Sequence, residues 1–214
     1  IIVEEKPTGE ISAGAGVGTT GSTIGGAVKE NNYLGKGIGL EASFSLSDEE
    51  VKGRFSVNNP NFRNSGRSLV FLTESSETDK MSDSGFKTSQ KGFSLGTRYE
   101  QFENFYFSPR TSIYYETLKT NDSATATLQK QEGDYFDTTF GYSLDYDVRD
   151  SRYKTSDGFR SRFVQDIPIT SDDYALITGY EYSHYYEFEN KTRTSFTFWS
   201  RATSSLTGDD VRIS

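Results

Sequence analysis

The chain has 214 residues, 33% of them hydrophobic and 14% aromatic, with a formal net charge of −8. So low an apolar fraction argues against a thick helical or α/β core, and so many aromatic residues argue against disorder. The lack of cysteine removes disulfides, thiol catalysis and zinc–thiolate sites, and the acidic balance argues against nucleic acid as a partner, which would call for a basic stripe.

The start, Ile1-Ile2-Val3-Glu4-Glu5-Lys6, has neither an initiator Met nor the basic and apolar regions of a signal peptide, so we expect a piece of something longer. The longest uncharged stretch, Ile11 to Val28, is rich in Gly, Ser and Thr and would make a poor, weakly apolar helix. Alternation with period two carries the signal instead. Ile38, Leu40, Ala42, Phe44 and Leu46 alternate with Gly39, Glu41, Ser43, Ser45 and Ser47. Val51, Gly53, Phe55 and Val57 follow in the same way, then Phe93 to Tyr99, then Phe136 to Val148 with Asp137, Asp145 and Asp147 on the other face. Tyr174 to Tyr182 and Thr194 to Phe198 close the series.

The pattern predicts about eleven strands, near 9–18, 22–31, 36–47, 50–58, 67–75, 88–100, 105–119, 134–148, 158–168, 173–187 and 192–205. No capped helical spacing stands out. Short connections, such as Thr19–Gly21, Asn32–Gly35 and Asn58–Gly66, contrast with long polar ones at Ser75–Ser89 and Thr120–Gly133. Strands of about ten residues, apolar outward and polar inward, describe an all-β, antiparallel transmembrane β-barrel. Aromatics at strand ends (Tyr99, Phe102, Phe105, Tyr106, Phe107; Tyr182, Tyr185, Tyr186, Phe188) suit a girdle at the membrane boundary. A soluble β-sandwich is the competing fold, but it would not need so many long one-faced strands.

Chemistry-bearing motifs are few. Gly16-Val17-Gly18-Thr19-Thr20-Gly21 matches the dinucleotide-binding glycine pattern, but a further alternating segment follows where a helix is needed. His184 is the single histidine, so a His-based triad and a multi-histidine metal site are excluded. Asp145, Asp147 and Asp150 have a spacing that suggests calcium, yet Arg149 sits among them and charge pairing is the better reading. The expectation is no enzyme, no metal and no cofactor.

Several segments resemble the BamA family of bacterial outer-membrane barrel assembly factors, the bacterial surface antigen family. Val3-Glu4-Glu5-Lys6-Pro7-Thr8-Gly9 looks like the exit from its last POTRA domain, and Asn31-Asn32-Tyr33-Leu34-Gly35-Lys36-Gly37 like its second turn. Asn59-Pro60-Asn61-Phe62 sits where the family has a Pro-Tyr-Phe turn, with Asn61 replacing the Tyr. Most specific is the turn motif Tyr146, Asp147, Arg149, Asp150, Gly158 and Phe159, in which Thr155 replaces a usual proline and leaves the turn less rigid.

The resemblance implies a sixteen-stranded barrel of which this chain holds about the first eleven strands. Residues 1–8 would end the last POTRA domain, and 9–214 would be an incomplete barrel domain stopping in the sixth extracellular loop. It places the protein integrally in the bacterial outer membrane, with the N-terminal end periplasmic. It implies three kinds of partner: outer-membrane lipids, unfolded outer-membrane protein clients and accessory assembly lipoproteins. Its lateral gate would be strand one, here Ile11, Ser12, Ala13, Gly14, Ala15, Gly16, Val17 and Gly18. The residues support the physical half of that idea, since small side chains leave a strand edge open to pairing. A passive pore, an outer-membrane hydrolase and the related translocation-and-assembly or two-partner secretion barrels are the alternatives.

Overall fold

The computed structural model describes residues 7–18, 21–172 and 174–208. They form one antiparallel meander of eleven strands, each paired to its neighbours in chain order. The strands are β1 (Gly9–Gly18), β2 (Gly21–Tyr33), β3 (Ile38–Ser47), β4 (Glu50–Asn59), β5 (Ser68–Lys80), β6 (Phe86–Phe102), β7 (Phe105–Thr120), β8 (Gly133–Asp147), β9 (Gly158–Thr170), β10 (Ala175–Glu187) and β11 (Arg193–Ser205). A ten-residue strand is about 33 Å long; tilted by about 40° it rises about 25 Å, the height of a barrel's apolar band.

Register separates the two faces. Leu72, Ser94, Ser112, Thr139 and Pro168 form one cross-strand row facing inward. The adjacent row, Phe71, Leu95, Thr111, Phe140 and Ile167, faces outward. Burial is inverted relative to a soluble protein. Among the described residues the buried polar ones are Ser112, Glu116, Ser143, Asp145 and Ser183, while the buried apolar side chains are Leu118, Ala124 and Pro168. Ile24, Val28, Phe44, Phe93, Leu95, Phe140 and Phe198 are exposed on the outer face. No second sheet covers them, which removes the sandwich. Among the described residues no helix is long and apolar enough to cross a membrane, and a strand-crossing protein needs none.

Three expectations are corrected. The connection read as Ser75–Ser89 is mostly strand: β5 runs on to Lys80 and β6 begins at Phe86. Polar cross-strand pairs extend the ladder past the apolar band, with the Lys87 ammonium 2.7 Å from Glu77 and 3.2 Å from Asp79. The connection after β7 contains one helical turn, α1 (Ala126–Lys130), capped by the Thr125 hydroxyl, which accepts from the Leu128 amide. In the aromatic girdle, Tyr106 and Tyr185 point inward, because period two alternates them with Phe105, Phe107, His184 and Tyr186. Tyr106 instead supports the Arg98 guanidinium, 4.4 Å from its ring centre. Outward rings do form a band near the β6–β7 and β8–β11 ends. Tyr99 meets Phe107 at 5.8 Å, Phe107 meets Tyr142 at 6.2 Å, and Phe159 meets Tyr182 at 5.8 Å.

Candidate functional site: an open strand edge and a braced wall

β1 pairs with β2 from Gly9↔Glu30 to Gly18↔Gly21, and among the described residues no strand pairs with its other edge. All ten of its residues are exposed, Ile11 at 83% and Val17 at 88%. Ile11, Ala13, Ala15 and Val17 share the outward face; Ser12, Gly14, Gly16 and Gly18 share the inward one. A Cβ added at Gly14, Gly16 or Gly18 would meet nothing within 4 Å. Across the seam, Gly14 faces Gly25 and Ala13 faces Gly26. The β1–β2 pair therefore rests on its backbone ladder with little side-chain packing to fix its register. The glycine pattern Gly16–Gly21 leads from one strand to the next, with Thr19 and Thr20 outside the described residues.

The sheet's other edge, β11, is different in kind. It carries Phe196, Phe198, Trp199 and Arg201, side chains that restrict what can lie beside them. Of the two edges, β1 is the one with the smaller side chains.

The six turn-motif residues come together between β8 and β9. Tyr146 and Phe159 meet edge-to-face at 5.7 Å. The Asp147 carboxylate accepts Nε and Nη2 of Arg149 at 2.7 and 2.8 Å, a bidentate pair. Asp150 accepts the amides of Ser156 and Asp157 at 2.9 and 3.2 Å and also the Ser156 hydroxyl. These donors hold the Asp150 carboxyl well down, at about 2. Gly158 has φ +96°, and a Cβ there would collide with the Val148 carbonyl. Thr155 is tied by its hydroxyl to the Ser151 carbonyl at 2.6 Å, which restrains the turn where a proline was absent.

What the sequence hid is the brace behind this turn. Asp145, 1% exposed, accepts two nitrogens of Arg98 at 3.1 Å and two of Arg160 at 2.8 Å. It was expected to pair locally. Its partners lie 47 and 15 positions away, and only the sheet register brings them in. From β7, Tyr114 crosses Gly92 to donate to Glu74 on β5 at 2.7 Å, and Arg110 crosses Gly141 to reach Asp166 on β9 at 2.5 Å. Side chains on one inner face thus tie β5 to β9. Among the described residues no group of three His, Asp or Glu is placed to hold a metal. His184 points outward and stacks on Tyr182 at 6.4 Å.

Residues 32–214 match the model of the Omp85 superfamily domain. The chain belongs to the Omp85 superfamily. Its fold is similar to that of BamA from Haemophilus ducreyi lacking POTRA domains 1–3, at a TM-score of 0.78 and 18% identity. That match covers 97% of this chain and 43% of the other, so the eleven strands correspond to part of a barrel. CdiB from Acinetobacter baumannii matches at a TM-score of 0.49 and 11% identity, over 92% of this chain and 38% of its own. The Omp85 chain is thus an integral outer-membrane β-barrel protein.

Proposed function

We propose that this Omp85 chain is the first part of the barrel of a BamA-type outer-membrane assembly factor, with Ile11–Gly18 as its lateral gate strand. In this reading residues 1–8 lead out of a final POTRA domain, and residues 9–214 run to the sixth extracellular loop. The rim holding the 34–37, 60–67, 103–104, 148–157 and 188–192 turns is periplasmic. The supporting observation is the β1 strand itself, whose inward residues are small and whose glycines 14, 16 and 18 have open space around them.

An edge in hydrocarbon leaves N–H and C=O groups without water, so pairing with an incoming strand is favourable. Small side chains let that strand approach in more than one register and leave again. The work is backbone exchange and no residue acts as a catalyst. Unfolded outer-membrane proteins are the clients, the surrounding lipids are the solvent, and accessory lipoproteins act from the periplasm.

The test uses single cysteines, since the chain has none of its own. Cysteines at Ser12, Gly14 and Gly16 of the full-length protein, paired with cysteines along one strand of a stalled client, should give disulfides in a consistent antiparallel or parallel register. Crosslinks confined to β11 or to the lumen would reject β1 as the gate.

A further inference from the structure

We propose that the turn joining β4 to β5 binds the phosphate of an anionic phospholipid, through the guanidinium groups of Arg63 and Arg67. The position comes first. Arg67, Leu69 and Phe71 follow one another on the outward face of β5, because Ser68 pairs inward with Arg98 and Leu69 outward with Thr97. Arg67 therefore stands one outward step beyond the apolar band, at headgroup depth. Its guanidinium lies 4.7 Å from the ring centre of Tyr99, an outward residue of the aromatic band that itself packs on Phe107. Arg63 lies over Phe62 at 5.2 Å. A guanidinium held over a ring face still has N–H groups to offer, and those suit phosphate.

The platform is built to hold them. Arg63 and Asn64 both have left-handed φ, 53° and 54°. The side chain of Asn61 accepts from the Gly66 amide at 2.9 Å and donates to Asn64 at 3.1 Å. The Phe62 amide donates to the Arg67 carbonyl at 2.8 Å, and the Ser65 hydroxyl donates to the Phe62 carbonyl at 2.6 Å. The amides of Asn61, Phe62, Asn64, Ser65 and Gly66 are thus used within the turn, and both arginines are exposed. Other cations near the rims are held in ion pairs: Lys52 with Glu50, Lys80 with Glu49, Lys87 with Glu77 and Asp79, and, on the same rim, Lys191 and Arg193 with Glu187. Among the described residues no ion pair holds Arg63 or Arg67.

The proposal rests on the barrel's place in a membrane and not on the gate, so a failed gate test leaves it standing. The experiment is native mass spectrometry of the full-length protein released from nanodiscs of phosphatidylethanolamine with a minority of phosphatidylglycerol. Wild type should retain phosphatidylglycerol preferentially, and each of Arg63→Gln and Arg67→Gln should lower that preference roughly fivefold. Tyr99→Leu, which keeps the charge but removes its support, should lower it less. The shift of the folded band on unheated gels identifies the variants that still fold. Equal retention in wild type and the folded double variant overturns the proposal. So does complete displacement of the lipid by inorganic phosphate, which would make this a site for the free ion.

Discussion

The β1–β2 seam and the β5–β9 wall have the same backbone ladder and opposite side-chain economies. Along β1, glycines open space that nothing fills: no atom lies within 4 Å of a Cβ built on Gly14, Gly16 or Gly18, although across the seam the Phe44 ring covers Gly26. In the wall, glycines open space that a neighbour occupies at once, Tyr114 over Gly92 and the Arg110–Asp166 pair over Gly141. The same residue type therefore loosens one region and locks the other. The difference teaches that a barrel can keep one seam exchangeable only if the rest holds its curvature without it.

The largest effect expected is at Gly158. A valine there must hold φ near +96° and displace the Val148 carbonyl, at a cost of about 3 kcal/mol or more. Gly158→Val should lose the folded band on unheated gels at temperatures where wild type keeps it. A fully folded variant would show that the β8–β9 turn does not anchor the wall. Asp145→Asn comes next. It leaves Arg98 and Arg160 facing one carboxamide in the lumen. Both arginines are partly wetted, so the full penalty of a broken buried pair is discounted to about 2 kcal/mol. Urea unfolding in lipid vesicles measures it, and no change in midpoint would show the brace to be ornamental.

A pair of glycine substitutions sharpens the comparison. Gly92→Ala drives a methyl into the Tyr114 ring and the Ile113 carbonyl, and should cost about 1–2 kcal/mol. Gly14→Val meets open space and removes a flexible residue from a strand, so it should raise stability by about 0.5 kcal/mol. If β1 is the gate, that more stable variant should nevertheless insert clients more slowly in a reconstituted assay. Equal insertion rates for Gly14→Val and wild type would break the link between the soft seam and function.

Strand order and faces were legible because alternation is a local property: Ile38 to Leu46 and Phe136 to Val148 declare their two sides residue by residue. The turn at Tyr146–Phe159 was legible because its contacts are also local, Asp147 to Arg149 and Asp150 to Ser156. What stayed hidden depends on register across several strands. Nothing near Asp145 points to Arg98, and nothing near Gly92 points to Tyr114. The polar extension of β5 and β6 was hidden for a related reason: its support is cross-strand charge, Lys87 with Glu77 and Asp79, with no apolar alternation to mark it.

The smallest effect expected separates turn from wall by pH. Asp150 has its carboxyl lowered to about 2 in the folded protein by the Ser156 hydroxyl and the amides of Ser156 and Asp157. In an unfolded chain the same group titrates near about 4. A lowered folded value means that the ionised form is favoured by folding, so its contribution is complete above the unfolded value and fades as pH falls toward the folded one. Between pH 7 and 5 the turn should therefore be unaffected. Below about 4 the 150–158 segment should lose amide protection, after correction for intrinsic exchange rates, before β7 and β8 do. Asp150→Asn should remove the pH dependence of that segment alone. Simultaneous loss of protection in the segment and in β8 would mean that turn and wall open as one unit, and that the wall's rigidity extends through this rim.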